Sequence, residues 1–117
     1  MSKNVLSVRS MTGRENKMSL KIEKKNEGTK DIVLLSGRLD TTTSPELEAF
    51  VEKELTDAKE LVFDLADLEY ISSAGLRVIL KVQKLMNKKG SLKLIHVNDV
   101  IEEIFEVTGF ADILTIE

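Results

Sequence analysis

The chain has 117 residues, 42% hydrophobic and 32% charged, with one proline and six glycines. This is the length and balance of one globular domain, able to bury roughly two thirds of the surface its unfolded chain exposes, and it argues against a repetitive or low-complexity protein. There is no cysteine, and His96 is the single histidine, so disulfides, thiolate metal sites and zinc sites of the usual kind are excluded and no cofactor motif is present.

The net charge of -3 gives no reason to expect direct nucleic-acid binding. No apolar run approaches the ~20 residues of a membrane span, so no membrane insertion is expected. The lack of cysteine fits a reducing, cytoplasmic compartment. Residues 1–17 hold Lys3, Arg9, Arg14 and Lys17 against Glu15, a charge of +3, which leaves -6 on the rest. That opening stretch has no continuous apolar segment of the secretory kind and no strong periodicity. We therefore expect a disordered N-terminal tail over 1–17 and a domain over 18–117. Met18, where better patterning begins, is an alternative start of translation.

Leu20 and Ile22 alternate with polar neighbours over 19–25, as an edge strand does. A turn at Asn26–Thr29 leads into a second strand, Asp31–Ser36, giving a hairpin. After Gly37-Arg38-Leu39-Asp40 and a polar run comes Ser44-Pro45, a strong helix start, with Thr43 and Glu46 offering a competing capping-box register. Leu47, Phe50, Val51 and Leu55 then fall at helical spacing, predicting a helix over 44–57. Glu60–Leu65 reads as a central strand and Ala66–Ile71 as a connection with Leu68 and Ile71 turned inward.

The next helix is predicted over 73–88, with Gly75, Ile79, Val82 and Met86 on one buried line, widened by Val78 and Leu85. Arg77, Lys81, Lys84 and Lys88 form a second, basic line; such a line is ordinarily the solvated face of a helix. Ser91–Val97 is a further strand containing His96. Asn98 or Asp99 caps a helix over 99–108, in which Val100, Ile101, Ile104, Phe105 and Val107 are the apolar set, and Gly109 stops it. Ala111–Ile116 reads as a short last strand. This order predicts an α/β fold: a mixed sheet of four to five strands with helices packed against it.

Catalysis has little to use. His96 lies within an expected strand, no Gly-x-Ser-x-Gly elbow surrounds Ser73, and no phosphate-binding P-loop occurs. Asp64 and Asp67 follow a strand, where turn or solvation roles are the ordinary reading. Ser72-Ser73 stands out: a central strand, two serines, then Ala74 and Gly75 opening a helix. That arrangement exposes a hydroxyl where backbone N–H groups favour a phosphate. On spacing alone, a serine that simply caps the helix is the more economical reading.

Tyr70-Ile71-Ser72-Ser73-Ala74-Gly75-Leu76-Arg77 resembles the signature of bacterial anti-sigma factor antagonists, proteins of the STAS class: aromatic, apolar, Asp, Ser, small, Gly, Leu, Gly. Ser36-Gly37-Arg38-Leu39-Asp40 is similar to that family's Gly-x-Leu/Ile-Asp segment, and Leu61–Leu65 to the strand before its phosphorylation loop. The similarity spans about residues 19–116. It implies a STAS-like fold and a regulatory, non-enzymatic function: the antagonist binds an anti-sigma factor that is also a serine kinase and so frees a sigma factor.

By the same resemblance, phosphorylation of Ser73 switches binding off and a metal-dependent serine phosphatase restores it. Asp40, Thr41, Thr42 and Thr43, with Ser72, Gly75, Arg77 and Lys81, are the expected docking surface. Two positions depart from the signature: Ser72 stands where the aspartate is usual, and Arg77 where the second glycine is. A non-switching STAS adaptor or scaffold-binding module is the alternative function. A small enzyme acting through Ser73 is a third, which the lack of a histidine or lysine motif counts against, and a ligand-binding STAS domain a fourth, for which no cofactor motif speaks.

Overall fold

The computed structural model describes residues 5–9, 20–55 and 57–117. Five strands form one sheet in the order β1-β2-β3-β4-β5, made by Val5–Arg9 (β1), Leu20–Glu27 (β2), Lys30–Leu39 (β3), Glu60–Ile71 (β4) and Ser91–Ile95 (β5). β1 with β2 and β2 with β3 pair antiparallel, whereas β3, β4 and β5 are mutually parallel. Parallel neighbours need long crossovers, and helices Ser44–Glu54 (α1) and Ser73–Lys89 (α2) supply them. A third helix, Asp99–Thr108 (α3), follows β5. The mixed sheet, the three helices and the strand at 61–65 agree with the expectation from sequence.

The core follows the strand and helix periods. Val33 and Leu35 of β3, Leu61, Phe63 and Leu65 of β4, and Leu92 and Leu94 of β5 are all buried. Against them pack Leu47, Phe50 and Val51 of α1, Leu76, Val78, Ile79, Val82 and Met86 of α2, and Ile101 and Phe105 of α3. Leu85, expected to widen the α2 stripe, is exposed, as are Val100 and Val107 of α3.

Several elements differ from their sequence reading. β4 runs to Ile71, so the expected connection 66–71 is strand. Its pairing with β3 slips twice: Leu34 and Ser36 face Asp64 and Asp67, and Gly37 and Arg38 face Leu68 and Tyr70. Each slip inserts one extra residue on β4, so its buried side chains fall at Leu65, Leu68 and Ile71, three apart instead of two. The broken alternation hides a strand from a period-2 reading.

Ala111–Ile116 is a 3-10 turn, Phe110–Asp112, followed by a single parallel bridge between Leu94 and Ile116 on the outer edge of β5. Helix α1 ends at Glu54, within the expected 44–57. Val5–Arg9, inside the segment expected to be a disordered tail, is a strand, and it makes β2 an interior strand, not an edge. An unpaired β2 edge would leave a row of backbone donors and acceptors for another strand to fill. Residues 1–4 and 10–17 of that segment lie outside the described residues.

Candidate functional site

Because β3, β4 and β5 are parallel, the helices that follow them begin at the same end of the sheet. Two of those beginnings are joined directly. The Ser72 amide donates to the Leu39 carbonyl at 2.9 Å. Gly75 lies against the same residue: a Cβ there would be 2.8 Å from both Leu39 Cγ and Leu39 O, and 3.1 Å from Ile71 Cγ2. Glycine is therefore required by close approach, and it seats the first turn of α2 on the end of β3.

Asp40, the next residue of β3's exit, is a knot of local hydrogen bonds. Its Oδ1 accepts from the Thr42 amide at 3.0 Å, the Thr42 hydroxyl at 2.8 Å and the Thr43 amide at 3.1 Å. Thr43 Oγ1 in turn accepts the Asp40 amide and donates to the Arg38 carbonyl, both at 2.8 Å. Ser44 Oγ donates to the Asp40 carbonyl at 2.6 Å. The start of α1 is thus held by Asp40 and not by a side-chain cap from Thr43 or Ser44. Burial pushes the Asp40 carboxyl up, but the hydrogen bonds from Thr42 and Thr43 outweigh it and hold the group below its ordinary 3.8.

Of the docking residues expected in this stretch, Thr43 is buried within the knot, whereas Thr41 and Thr42 are exposed. Sequence reading missed a neighbour of the knot. The Arg38 guanidinium stacks on the Tyr70 ring, 4.4 Å from its centroid, with its Nε 3.8 Å from Asp40 Oδ2. The two residues face each other across β3 and β4 only because of the second slip in register, which no sequence period announces.

The serine pair divides two roles that the sequence left competing. Ser72 has extended backbone, φ -91 and ψ 176, and its hydroxyl accepts the Gly75 amide at 3.3 Å, so Ser72 is the cap. Ser73 is the first residue of the helix and is exposed, and its hydroxyl makes no hydrogen bond to any described residue. Arg77 follows one turn later, also exposed and without an ion pair among the described residues. Lys81 is different: it is bonded to Glu48 of α1 and lies 3.8 Å from Glu52, so it clasps the two helices together. Its hydrogen bond to Glu48 raises its pKa above the ordinary 10.5.

His96 lies one residue past β5, not within it, in the left-handed backbone region at φ 55. Its Nδ1 is 3.0 Å from Asp64 Oδ2, while Asp64 Oδ1 accepts the Ala66 amide at the first slip of β4. The two acids expected to follow the central strand lie within β4 because it continues to Ile71: Asp64 holds the His96 turn, and Asp67 is exposed on a shallow cleft with Lys21, Glu69 and Asp99. Asn98, one of the two expected caps, is the cap of α3: its side chain accepts the Ile101 amide at 3.0 Å and donates to the Leu68 carbonyl at 2.9 Å. No helix among the described residues is long and apolar enough to cross a membrane.

Comparison with known proteins agrees with this geometry. The family model described as "Mlab, STAS domain" matches residues 22–115. An anti-sigma-B factor antagonist of Listeria monocytogenes is 31% identical over 103 residues, covering 86% of this chain and 90% of that protein. Among solved structures, an anti-sigma factor antagonist from Mycobacterium paratuberculosis superposes with a TM-score of 0.78 at 20% identity, covering 88% of this chain and 89% of the other. The Bacillus cell fate determinant SpoIIAA in its phosphorylated form superposes with a TM-score of 0.64 at 13% identity, covering 82% and 90%. At those identities the superpositions speak for the fold, and the family match and the Listeria relative speak for descent. The chain belongs to the STAS domain family, with the anti-sigma factor antagonists.

Proposed function

We propose that this chain is a cytoplasmic partner-switching protein controlled at Ser73. Unphosphorylated, it binds an anti-sigma factor that is a serine kinase and so releases a sigma factor. The kinase transfers a phosphate from ATP to the Ser73 hydroxyl, and binding ends. A metal-dependent serine phosphatase hydrolyses the ester and restores the binding form. Thr41 and Thr42, Ser72 and Ser73, and Arg77 form the docking surface around the acceptor. Asp40, Thr43 and Gly75 act beneath it by fixing the backbone, and Lys81 by fixing α1 against α2.

The observation that carries this reading is the division of labour between the serines. Ser72 spends its hydroxyl on the Gly75 amide, so the exposed and unbonded Ser73 is the one a kinase can reach without unfolding the helix start. One relative by fold, SpoIIAA, is known in a phosphorylated form, which supports control by phosphorylation on this scaffold. Mass spectrometry after incubation with the cognate kinase and ATP tests the assignment: the phosphate is expected on Ser73.

A second reading, a non-switching STAS adaptor, is favoured by Ser72 standing where the family's aspartate is usual. Tight binding with neither serine modified would establish it in place of the switch.

A further inference from the structure

We propose that Arg77 is the residue that reads the state of Ser73: its guanidinium serves an acidic partner when Ser73 is free and pairs with the phosphate when it is not. The inference rests on the phosphorylation of Ser73 proposed above and adds how the phosphate acts.

Ser73 and Arg77 are four residues apart on one helix, hence neighbours on one face with Cβ atoms about 5–6 Å apart. Helical side chains lean toward the N-terminus, so the turn that contains Ser73 is within reach of the Arg77 guanidinium. No carboxylate competes for it there, since the first turn of α2 holds no acid and Ser72 stands where the family has aspartate. The next cation along, Lys81, is already engaged by Glu48 and Glu52, whereas Arg77 has no ion pair among the described residues.

Arg77 also lines a shallow groove beside α1, with Glu48, Val78, Leu80, Lys81 and Lys84, in which Glu48 and Lys81 are paired with each other. Lys84 has no ion pair among the described residues either. This surface therefore offers two free cations around a half-buried leucine, a complement for a partner segment carrying carboxylates. The guanidinium fork bonds a phosphate through two parallel N–H donors. A phosphate on Ser73 thus removes one cation from the partner and adds a charge of about -1.5 to -2. The two departures from the family signature act together, since losing the acid at Ser72 and gaining Arg77 both favour an anion between them.

The test uses the full chain with phosphoserine encoded at position 73, so no kinase is needed. Phosphorus NMR gives the second ionisation of that phosphate, which is about 6 when unperturbed. The native sequence should titrate lower than Arg77→Gln by about 0.3 of a unit, a twofold change in the equilibrium. Arg77→Lys should recover part of the shift, and salt near 1 M should abolish most of it. Glutamine keeps helix propensity, so a general loss of helix does not mimic the result.

Equal midpoints in the native and Arg77→Gln chains would overturn the role of Arg77 and leave the assignment of Ser73 intact. Conversely, a cognate kinase that never modifies Ser73 would remove the assignment without altering this titration. In the unphosphorylated chain, Arg77→Gln should weaken kinase binding at least threefold; unchanged affinity would contradict the acidic partner.

Discussion

The Leu39 carbonyl accepts the Ser72 amide at 2.9 Å, so the end of β3 and the cap of α2 are one backbone junction. Whatever holds Asp40 in place therefore also holds the serine pair. Mutations around this junction separate what the fold needs from what the switch needs.

The two serines should differ in stability. Ser72→Ala removes the cap of α2 and is expected to cost about 1 kcal/mol. Ser73→Ala removes an exposed, unbonded hydroxyl and should change stability by less than about 0.5 kcal/mol. Urea melts of both variants check this. Equal losses, or a larger loss at Ser73, would show that the cap has been assigned to the wrong residue.

Gly75→Ala sets two effects against each other. Alanine favours a helix by about 0.8–1 kcal/mol over glycine. Its Cβ, however, would sit 2.8 Å from the Leu39 carbonyl oxygen, a backbone atom that cannot swing aside. Overpacking of this kind typically costs about 1–3 kcal/mol, so the variant should be less stable on balance. A gain in stability would mean that β3 and α2 separate freely here.

Asp40 should make the junction acid-labile. Its folded pKa is depressed below 3.8, so the stability it supplies is complete above that unfolded value and is lost as pH falls through the folded one. Asp40→Asn should therefore cost about 1 kcal/mol or more at pH 7, where the native carboxylate accepts charge-assisted bonds. The gap between the two proteins should narrow as pH falls below about 4. Denaturation curves across that range decide it; a constant gap would rule out the carboxylate as its source.

The boundary at Met18 remains a proposal that truncation can test. The buried core among the described residues runs from Leu20 to Leu114, all of it after Met18. A chain beginning at Met18 is expected to fold cooperatively, with a free β2 edge that favours self-association. Thermal melts and light scattering measure both properties. A non-cooperative melt would show that β1 is part of the folding unit.

Much of this was legible in the sequence, and the rest has local causes. Leu47, Phe50 and Val51, or Ile79, Val82 and Met86, announce helices because one buried face imposes a regular period. Leu65, Leu68 and Ile71 do not announce a strand because two bulges shift their side chains out of alternation. The family signature pointed to Ser73 as the acceptor, while the sequence could not tell which serine caps the helix; that depends on the backbone angles of Ser72. The Asp40 knot was readable only as a polar run, since its acceptor pattern arises when the chain turns from β3 into α1. Arg38 on Tyr70 needed the register of two strands about thirty residues apart.

The central claim is that charge at Ser73 ends partner binding while the fold persists. Titration calorimetry of the native chain, Ser73→Ala and Ser73→Asp against the cognate anti-sigma kinase tests it most directly, with circular dichroism confirming that all three are folded. Ser73→Ala should bind as the native chain does. Ser73→Asp should bind at least tenfold more weakly, a difference of about 1.4 kcal/mol. A folded Ser73→Asp chain that binds with native affinity would contradict the account.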